Sequence, residues 1–293
     1  MIRYEGTLYR PPSEAHSLIL QATVGCSYNE CTFCGMYRDK RFRVRPLAEL
    51  EGEIEWARRS FGERVRKVFL ADGDALVAKA SFLSALLARL RTAFPNLRRV
   101  SCYASPQALQ VRSVEEMRAL AAQGLTLYYL GIESGHDAVL ARLAKGVDSA
   151  EMVRVAHKAH AAGATLSTMI LLGAGGPALS LEHARASAAV VNAIQPRFLS
   201  TLLMTPVPDT PLFDEERRGE YERLSDFDAT RELRELVAGL ELAGTIFRSN
   251  HASNALPLEG TLPRDKGRLL AMLDAALGLG DDAPFVPRWQ RGL

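Results

Sequence analysis

Short runs of Val, Ile, Leu, Phe and Tyr alternate along the chain with longer stretches whose apolar residues recur every three or four positions. The runs fall at about residues 18–24, 66–71, 98–104, 125–132, 165–172 and 197–204, and the helical stretches at about 47–60, 79–93, 113–123, 149–162 and 180–194. β-rich runs separated by amphipathic helices are the pattern of βα units around a parallel sheet. Six such strands predict an α/β fold, a β6α6 partial TIM barrel. Gly62, Pro95, Gly124, Gly163 and Pro196 punctuate the units. After Pro211 the rhythm stops. Charged helical stretches at about 213–223 and 226–242 lead to a polar run at 245–256 and a last amphipathic helix near 263–277. The expected organisation is a barrel core over residues 1–212 and a C-terminal helical extension over 213–293 that covers the barrel opening.

In parallel barrels the chemistry sits on loops leaving the C-terminal ends of the strands. Five of the six runs open into unusual loops. The second leads into Ala71-Asp72-Gly73-Asp74 and the fourth into Gly131-Ile132-Glu133-Ser134-Gly135. The fifth leads into Gly173-Ala174-Gly175-Gly176-Pro177, and the sixth into a proline-rich stretch from Thr205 to Pro211. The first leads into Cys26, Cys31 and Cys34, three of the four cysteines in the protein, within nine residues.

Composition narrows the setting. The chain has 293 residues, 47% of them hydrophobic, enough for a sizeable core. A net charge of +2 exerts no global pull on nucleic acid or membrane. No stretch reaches the roughly 18 uninterrupted apolar residues of a membrane span, and the first residues carry no signal-peptide core, so a cytoplasmic location is expected.

Three thiolates in one loop suit a metal centre, and the residues leave three readings. Zinc wants a fourth ligand, and the nearest histidine, His16, lies on the far side of the first strand. A disulfide leaves one thiol over. An iron–sulfur cluster held by three cysteines leaves one iron open to an exogenous ligand. Cys102, alone in an apolar run, reads as a buried thiol.

The loop C-x-x-x-x-C-x-x-C, with Phe33 before the last cysteine, resembles the cluster loop of radical S-adenosylmethionine (radical SAM) enzymes, lengthened by one residue from the usual C-x-x-x-C-x-x-C. The resemblance implies a [4Fe-4S] cluster on Cys26, Cys31 and Cys34 whose open iron binds the amino and carboxylate groups of S-adenosylmethionine (SAM). It implies reductive cleavage of SAM to a 5′-deoxyadenosyl radical that abstracts hydrogen from a substrate. Asp72, Gly73 and Asp74 stand where such enzymes meet the SAM amino group. Gly131 to Gly135 resembles the fourth-strand motif of the branch containing oxygen-independent coproporphyrinogen oxidase and the tRNA methylthiotransferases, which implies Glu133 at the ribose hydroxyls. Lys145 stands near that branch's arginine for the SAM carboxylate and supplies charge without the bidentate fork. The run Met169 to Gly173, with Leu172 at its end, resembles the motif that packs on adenine, and Phe33 and Tyr37 are further candidates for that pocket.

Two features lie outside these motifs. Arg38, Lys40, Arg41, Arg43 and Arg45 put five cations into eight residues beside the cysteines. This is an anion-binding lip for a small-molecule substrate, an RNA or a flavodoxin- or ferredoxin-type electron donor, or else a solvated loop. Asn250, His251, Ser253 and Asn254 form the densest polar cluster of the extension, with His251 a candidate catalytic proton carrier. No residue specifies the substrate. The alternatives are an RNA-modifying radical SAM enzyme and a non-catalytic iron–sulfur or SAM-binding protein.

Overall fold

The computed structural model describes residues 1–292. In chain order the strands are β1 (Leu18–Gln21), β2 (Thr23–Val24), β3 (Arg43–Val44), β4 (Lys67–Ala71), β5 (Arg99–Tyr103), β6 (Leu125–Glu133), β7 (Thr165–Leu172), β8 (Phe198–Leu203), β9 (Thr245–Ser249) and β10 (Leu258–Leu262). The α-helices are α1 (Leu47–Phe61), α2 (Ala80–Ala93), α3 (Pro106–Val111), α4 (Val114–Ala122), α5 (Asp137–Arg142), α6 (Ser149–Ala161), α7 (Gly176–Ile194), α8 (Pro211–Arg217), α9 (Asp226–Gly239) and α10 (Lys266–Leu279). Eight strands form a mostly parallel sheet in the order β1-β4-β5-β6-β7-β8-β9-β10, and β2 pairs with β3 in a small ladder of its own. No described helix is long and apolar enough to cross a membrane.

The chain divides into two compact units. The first comprises residues 1–29, 36–130 and 155–166. In it β1, β4, β5 and β6 run parallel, with Leu18 opposite Val68, Val68 opposite Val100 and Tyr103 opposite Tyr129. β4 is buried at every position after Lys67, as expected of a parallel strand covered on both faces. The helices of this unit bury apolar stripes at helical spacing: Leu50, Ile54 and Ala57 on α1, and Leu83, Leu86, Leu87 and Leu90 on α2. Each fully buried leucine stabilises the fold by about 1.5–3 kcal/mol. α4 starts where Ser113 and Glu116 form a reciprocal capping box.

The second unit comprises residues 30–35, 131–154 and 167–293. β7 runs parallel to β8, with Ser167 opposite Phe198, and β8 parallel to β9, with Phe198 opposite Ile246. β10 closes the edge antiparallel to β9. The C-terminal extension is therefore not purely helical: it adds two strands to the sheet. Both escape the sequence pattern because β9 falls in the run read as polar, with Arg248 and Ser249 in it, and β10 carries Gly260 at its centre. α9, capped by Ser225, buries Leu233, Leu236 and Val237 and, on the same face, the acid Glu232.

Candidate functional site

In the first unit the turn after β4 grips both neighbours of Cys26. Asp72 is wholly buried, and its Oδ2 accepts hydrogen bonds from Gln21 Nε2 (2.9 Å), the Gly25 amide (3.2 Å) and Lys40 Nζ (2.8 Å). The Gly73 amide donates to Gly25 O (3.1 Å). Asp74, also wholly buried, accepts at Oδ2 from the hydroxyls of Ser27 (2.5 Å) and Ser105 (2.6 Å) and at Oδ1 from the Ser105 amide (3.2 Å). Burial raises the Asp74 pKa against the pull of those hydrogen bonds. A Cβ on Gly73 would stand 2.9 Å from Cys26 Cβ and 2.6 Å from the Tyr37 ring, so only glycine fits between cysteine and tyrosine. Both oxygens of Asp74 are thus engaged inside the protein. Asp72 Oδ1 differs: it is buried with no hydrogen-bond partner among the described residues.

The basic segment is also turned partly inward. Lys40 pairs with Asp72 with 5% of its side chain exposed, Arg43 pairs with Glu5, and Arg45 lies buried between Glu49 and Glu53 while bonding Gln21 O. Three of the five cations are therefore paired with carboxylates, and of these Arg45 ties the segment to α1. Tyr37 is buried edge-to-face on Tyr9, with its ring against Gly73.

In the second unit the segment from Cys31 to Cys34 is pinned at its centre. The Thr32 amide donates to Leu143 O (3.0 Å), its hydroxyl to Arg142 O (3.1 Å), and its carbonyl accepts from the Leu212 amide (3.0 Å). The C-terminal carbonyls of α5 and the first turn of α8 are so used on this loop. Phe33 packs on a buried cluster that includes Val139, Leu143, Leu171, Ala174 and Met204. Leu172 points elsewhere: it lines a small pocket with Leu203, Leu233 and Leu256. The period of two along β7 places Leu171, not Leu172, on the side of Phe33.

Glu133 ends β6 in the left-handed region (φ 65°), and its Oε1 lies 2.9 Å from Lys145 Nζ; both are nearly buried. Burial pushes the Lys145 pKa down, but the carboxylate of Glu133 and charge on Cys31 and Cys34 more than compensate, so it lies above the ordinary lysine value. The two residues that the resemblance assigns to ribose and carboxylate are therefore together, in the electrostatic field of two cysteines. Gly135 is fixed by packing: a Cβ there would come within 2.2 Å of the Ala186 carbonyl oxygen on α7.

Behind these turns lies a buried polar network that the sequence pattern does not reveal. The His136 amide donates to Ser134 Oγ (2.9 Å), Ser134 Oγ donates to His183 Nδ1 (2.8 Å), and His183 Nε2 donates to Leu171 O (3.1 Å). Glu232 accepts from the Gly173 amide (2.7 Å) and the Ser180 hydroxyl (2.6 Å), and Tyr221 OH donates to Gly173 O (3.0 Å). Burial pushes His183 down to about 4 and raises Glu232 to about 7. The one sequence signal is a histidine on the small-residue face of α7, between Ser180 and Ser187.

The polar cluster of the extension serves the sheet. Asn254 accepts from the Leu203 amide and donates to Thr201 O, continuing the edge of β8 beyond its last pair with β9. Ser253 Oγ accepts from the same Leu203 amide. His251 Nδ1 accepts from the Ser253 amide, so neutral His251 carries its proton on Nε2; burial lowers its pKa. Asn250 bonds Glu259.

Residues 20–184 match the family model of the radical SAM superfamily. Among solved structures the chain is similar to methylornithine synthase (PylB), at 16% identity and a TM-score of 0.54 over 77% of this chain and 63% of that one. It is similar to coproporphyrinogen III oxidase (HemN) from Escherichia coli, at 17% and 0.54 over 76% and 51%. It also resembles the radical SAM methyltransferase TsrM from Kitasatospora setae, solved with cobalamin and a [4Fe-4S] cluster, at 19% and 0.54 over 81% and 43%. At such identities the likeness is one of fold, the partial TIM barrel of radical SAM enzymes, and the chain spans less than two thirds of each of these proteins. No curated protein sequence is significantly similar. Enzymes of the superfamily use a [4Fe-4S] cluster and SAM. The residues here fit those groups: three soft thiol donors in one loop, a glycine that admits Cys26 against the turn after β4, and an unsatisfied carboxylate oxygen in that turn. With the match spanning more than half of its length, this chain belongs to the radical SAM superfamily.

Proposed function

We propose that this protein cleaves SAM reductively at a [4Fe-4S] cluster held by Cys26, Cys31 and Cys34 and uses the resulting 5′-deoxyadenosyl radical to abstract hydrogen from a small-molecule substrate. The observation that carries this reading is how the cysteine loop is held. Gly25 and Ser27 are fixed by Asp72 and Asp74, Thr32 is fixed by three main-chain partners, and the cysteines themselves keep partial exposure. These hydrogen bonds hold the backbone and hydroxyls on either side of the cysteines. When bound, the cluster supplies the electron for SAM cleavage and an open iron for SAM.

The chain's own residues then have distinct tasks. Asp72 Oδ1, an acceptor without a donor, suits a ligand ammonium. Lys145, charged and nearly buried, suits the SAM carboxylate, and Glu133 the ribose diol. Leu171 and Phe33, which share an apolar cluster, suit the adenine ring. A small substrate is favoured over RNA because Lys40, Arg43 and Arg45 are already paired with carboxylates. A flavodoxin- or ferredoxin-type donor would supply the electron. The test is anaerobic incubation of the reconstituted protein with SAM and dithionite. Formation of 5′-deoxyadenosine, lost in Cys34→Ala, supports the reading; a reconstituted, folded protein that yields none overturns it.

A further inference from the structure

Tyr221 and Glu232 lie beyond residues 20–184, in the part of the chain that the family model does not reach. Both nonetheless bind the main chain of Gly173, at the end of β7. Glu232 Oε1 accepts from the Gly173 amide, and Tyr221 OH donates to the Gly173 carbonyl. Gly173 has φ 81° and begins a turn with Gly175 and Gly176, and three glycines in four residues are costly to order. Leu171 O, two residues earlier, is held by His183, whose other ring nitrogen is bonded to Ser134 in the turn after Glu133. Glu232, Tyr221 and His183 are 0–3% exposed. Burying an acid on the inner face of α9 is unfavourable unless its oxygens are satisfied, and here both are: one by Gly173, the other by Ser180. No member of this network is free to act on a substrate, so its role is to hold main chain.

We propose that Glu232 and Tyr221 are positioning residues for the nucleotide-binding turn after β7, braced through His183 to the turn that carries Glu133, so that the C-terminal segment completes the SAM site from behind. This rests on the function proposed above. It gives α9 a task in cofactor binding that fold completion alone does not require. It also makes a distinction among variants: the acceptor is what matters at position 232, so glutamine should replace glutamate and alanine should not.

The test uses the full-length reconstituted protein with two readouts, the SAM dissociation constant by anaerobic equilibrium dialysis without reductant and hydrogen–deuterium exchange of the peptide covering 171–176. In Glu232→Ala and Tyr221→Phe, SAM affinity is expected to fall by about tenfold, the size of one lost buried hydrogen bond, with iron per chain unchanged. Exchange in the turn rises by a similar factor, and Glu232→Gln restores both. Unchanged exchange and unchanged SAM affinity in Glu232→Ala overturn the proposal, as does failure of Glu232→Gln to slow the exchange. If the wild-type protein with its cluster binds no SAM, the function proposed above fails, and the exchange readout alone then decides whether Glu232 and Tyr221 hold the turn. Should Glu232→Ala not fold, Tyr221→Phe, which removes one hydroxyl, carries the same two comparisons.

Discussion

The turn after β4 and the turn after β6 look alike in the sequence, each a short glycine-containing loop with an acid at a strand end, yet they use their carboxylates in opposite ways. At the first, Asp72 and Asp74 are buried and together accept six hydrogen bonds from the protein. At the second, Glu133 has one side-chain partner, Lys145. The first is a clamp on the cysteine loop, and the second is a single buried ion pair. Resemblance of motif places a loop at the site; the donors brought up by distant segments decide which way its side chains face.

The largest effect is expected at Asp72. Asp72→Ala leaves Lys40 buried without its counter-charge and the Gly25 amide without its acceptor, and is expected to cost about 3–5 kcal/mol in urea unfolding. A loss below about 1 kcal/mol would mean that the clamp is not a clamp.

The next effect is a pH dependence from the network behind the second turn. Glu232, raised by burial from 4.5 to about 7, binds its proton more tightly in the fold. Its contribution is fully present below pH 4.5 and lost as pH rises through 7. His183, lowered by burial from 6.5 to about 4, contributes stability that is present above pH 6.5 and lost as pH falls through 4. Between pH 4.5 and 6.5 the two slopes oppose, so wild-type stability should be nearly flat in their joint contribution. Glu232→Gln removes one slope, and relative to wild type it should gain about 3 kcal/mol between pH 4.5 and 7 in denaturant midpoints converted to free energy. A parallel profile for wild type and variant would contradict this.

Asp74 sharpens the contrast more finely. Asp74→Ala should cost about 1–3 kcal/mol and lower iron retention after reconstitution, with little change in SAM affinity per cluster, because its oxygens hold Ser27 and Ser105. Glu133→Gln should do the reverse, retaining iron while weakening SAM binding by about tenfold, about 1.4 kcal/mol. Equal losses of iron in both variants would erase the difference between the turns. Least of all, Arg41→Ala, an exposed cation of the basic segment, should change stability by less than about 0.5 kcal/mol and leave SAM cleavage unaltered.

Much of the fold was legible because parallel strands and their helices carry strong, regular patterns. The expected strand at 165–172 is β7 to the residue, and the helix at 47–60 is α1 within one. β9 and β10 were not legible, since Arg248, Ser249 and Gly260 dilute their strand composition and their pairing is owed to neighbours. The sequence shows three cysteines within nine residues, and the structure pairs Glu133 with Lys145 twelve positions on. The candidate site was unreadable where partners come from afar. Asp74 meets Ser27 and Ser105, His183 meets Ser134, and Glu232 meets Gly173 across 59 positions. Leu171 and Leu172 face opposite ways because side chains alternate along a strand, and Leu171 is the one beside Phe33.

Everything proposed above requires that Cys26, Cys31 and Cys34 together hold one iron–sulfur cluster with a site open to SAM. Electron paramagnetic resonance of the anaerobically reconstituted, reduced protein, with iron quantified on the same sample, tests it most directly. The expected result is about four irons per chain, lost in Cys26→Ala, Cys31→Ala and Cys34→Ala alike, and a cluster signal that shifts when SAM is added. Stoichiometric zinc retained in place of iron, or a cluster signal indifferent to SAM, would contradict it.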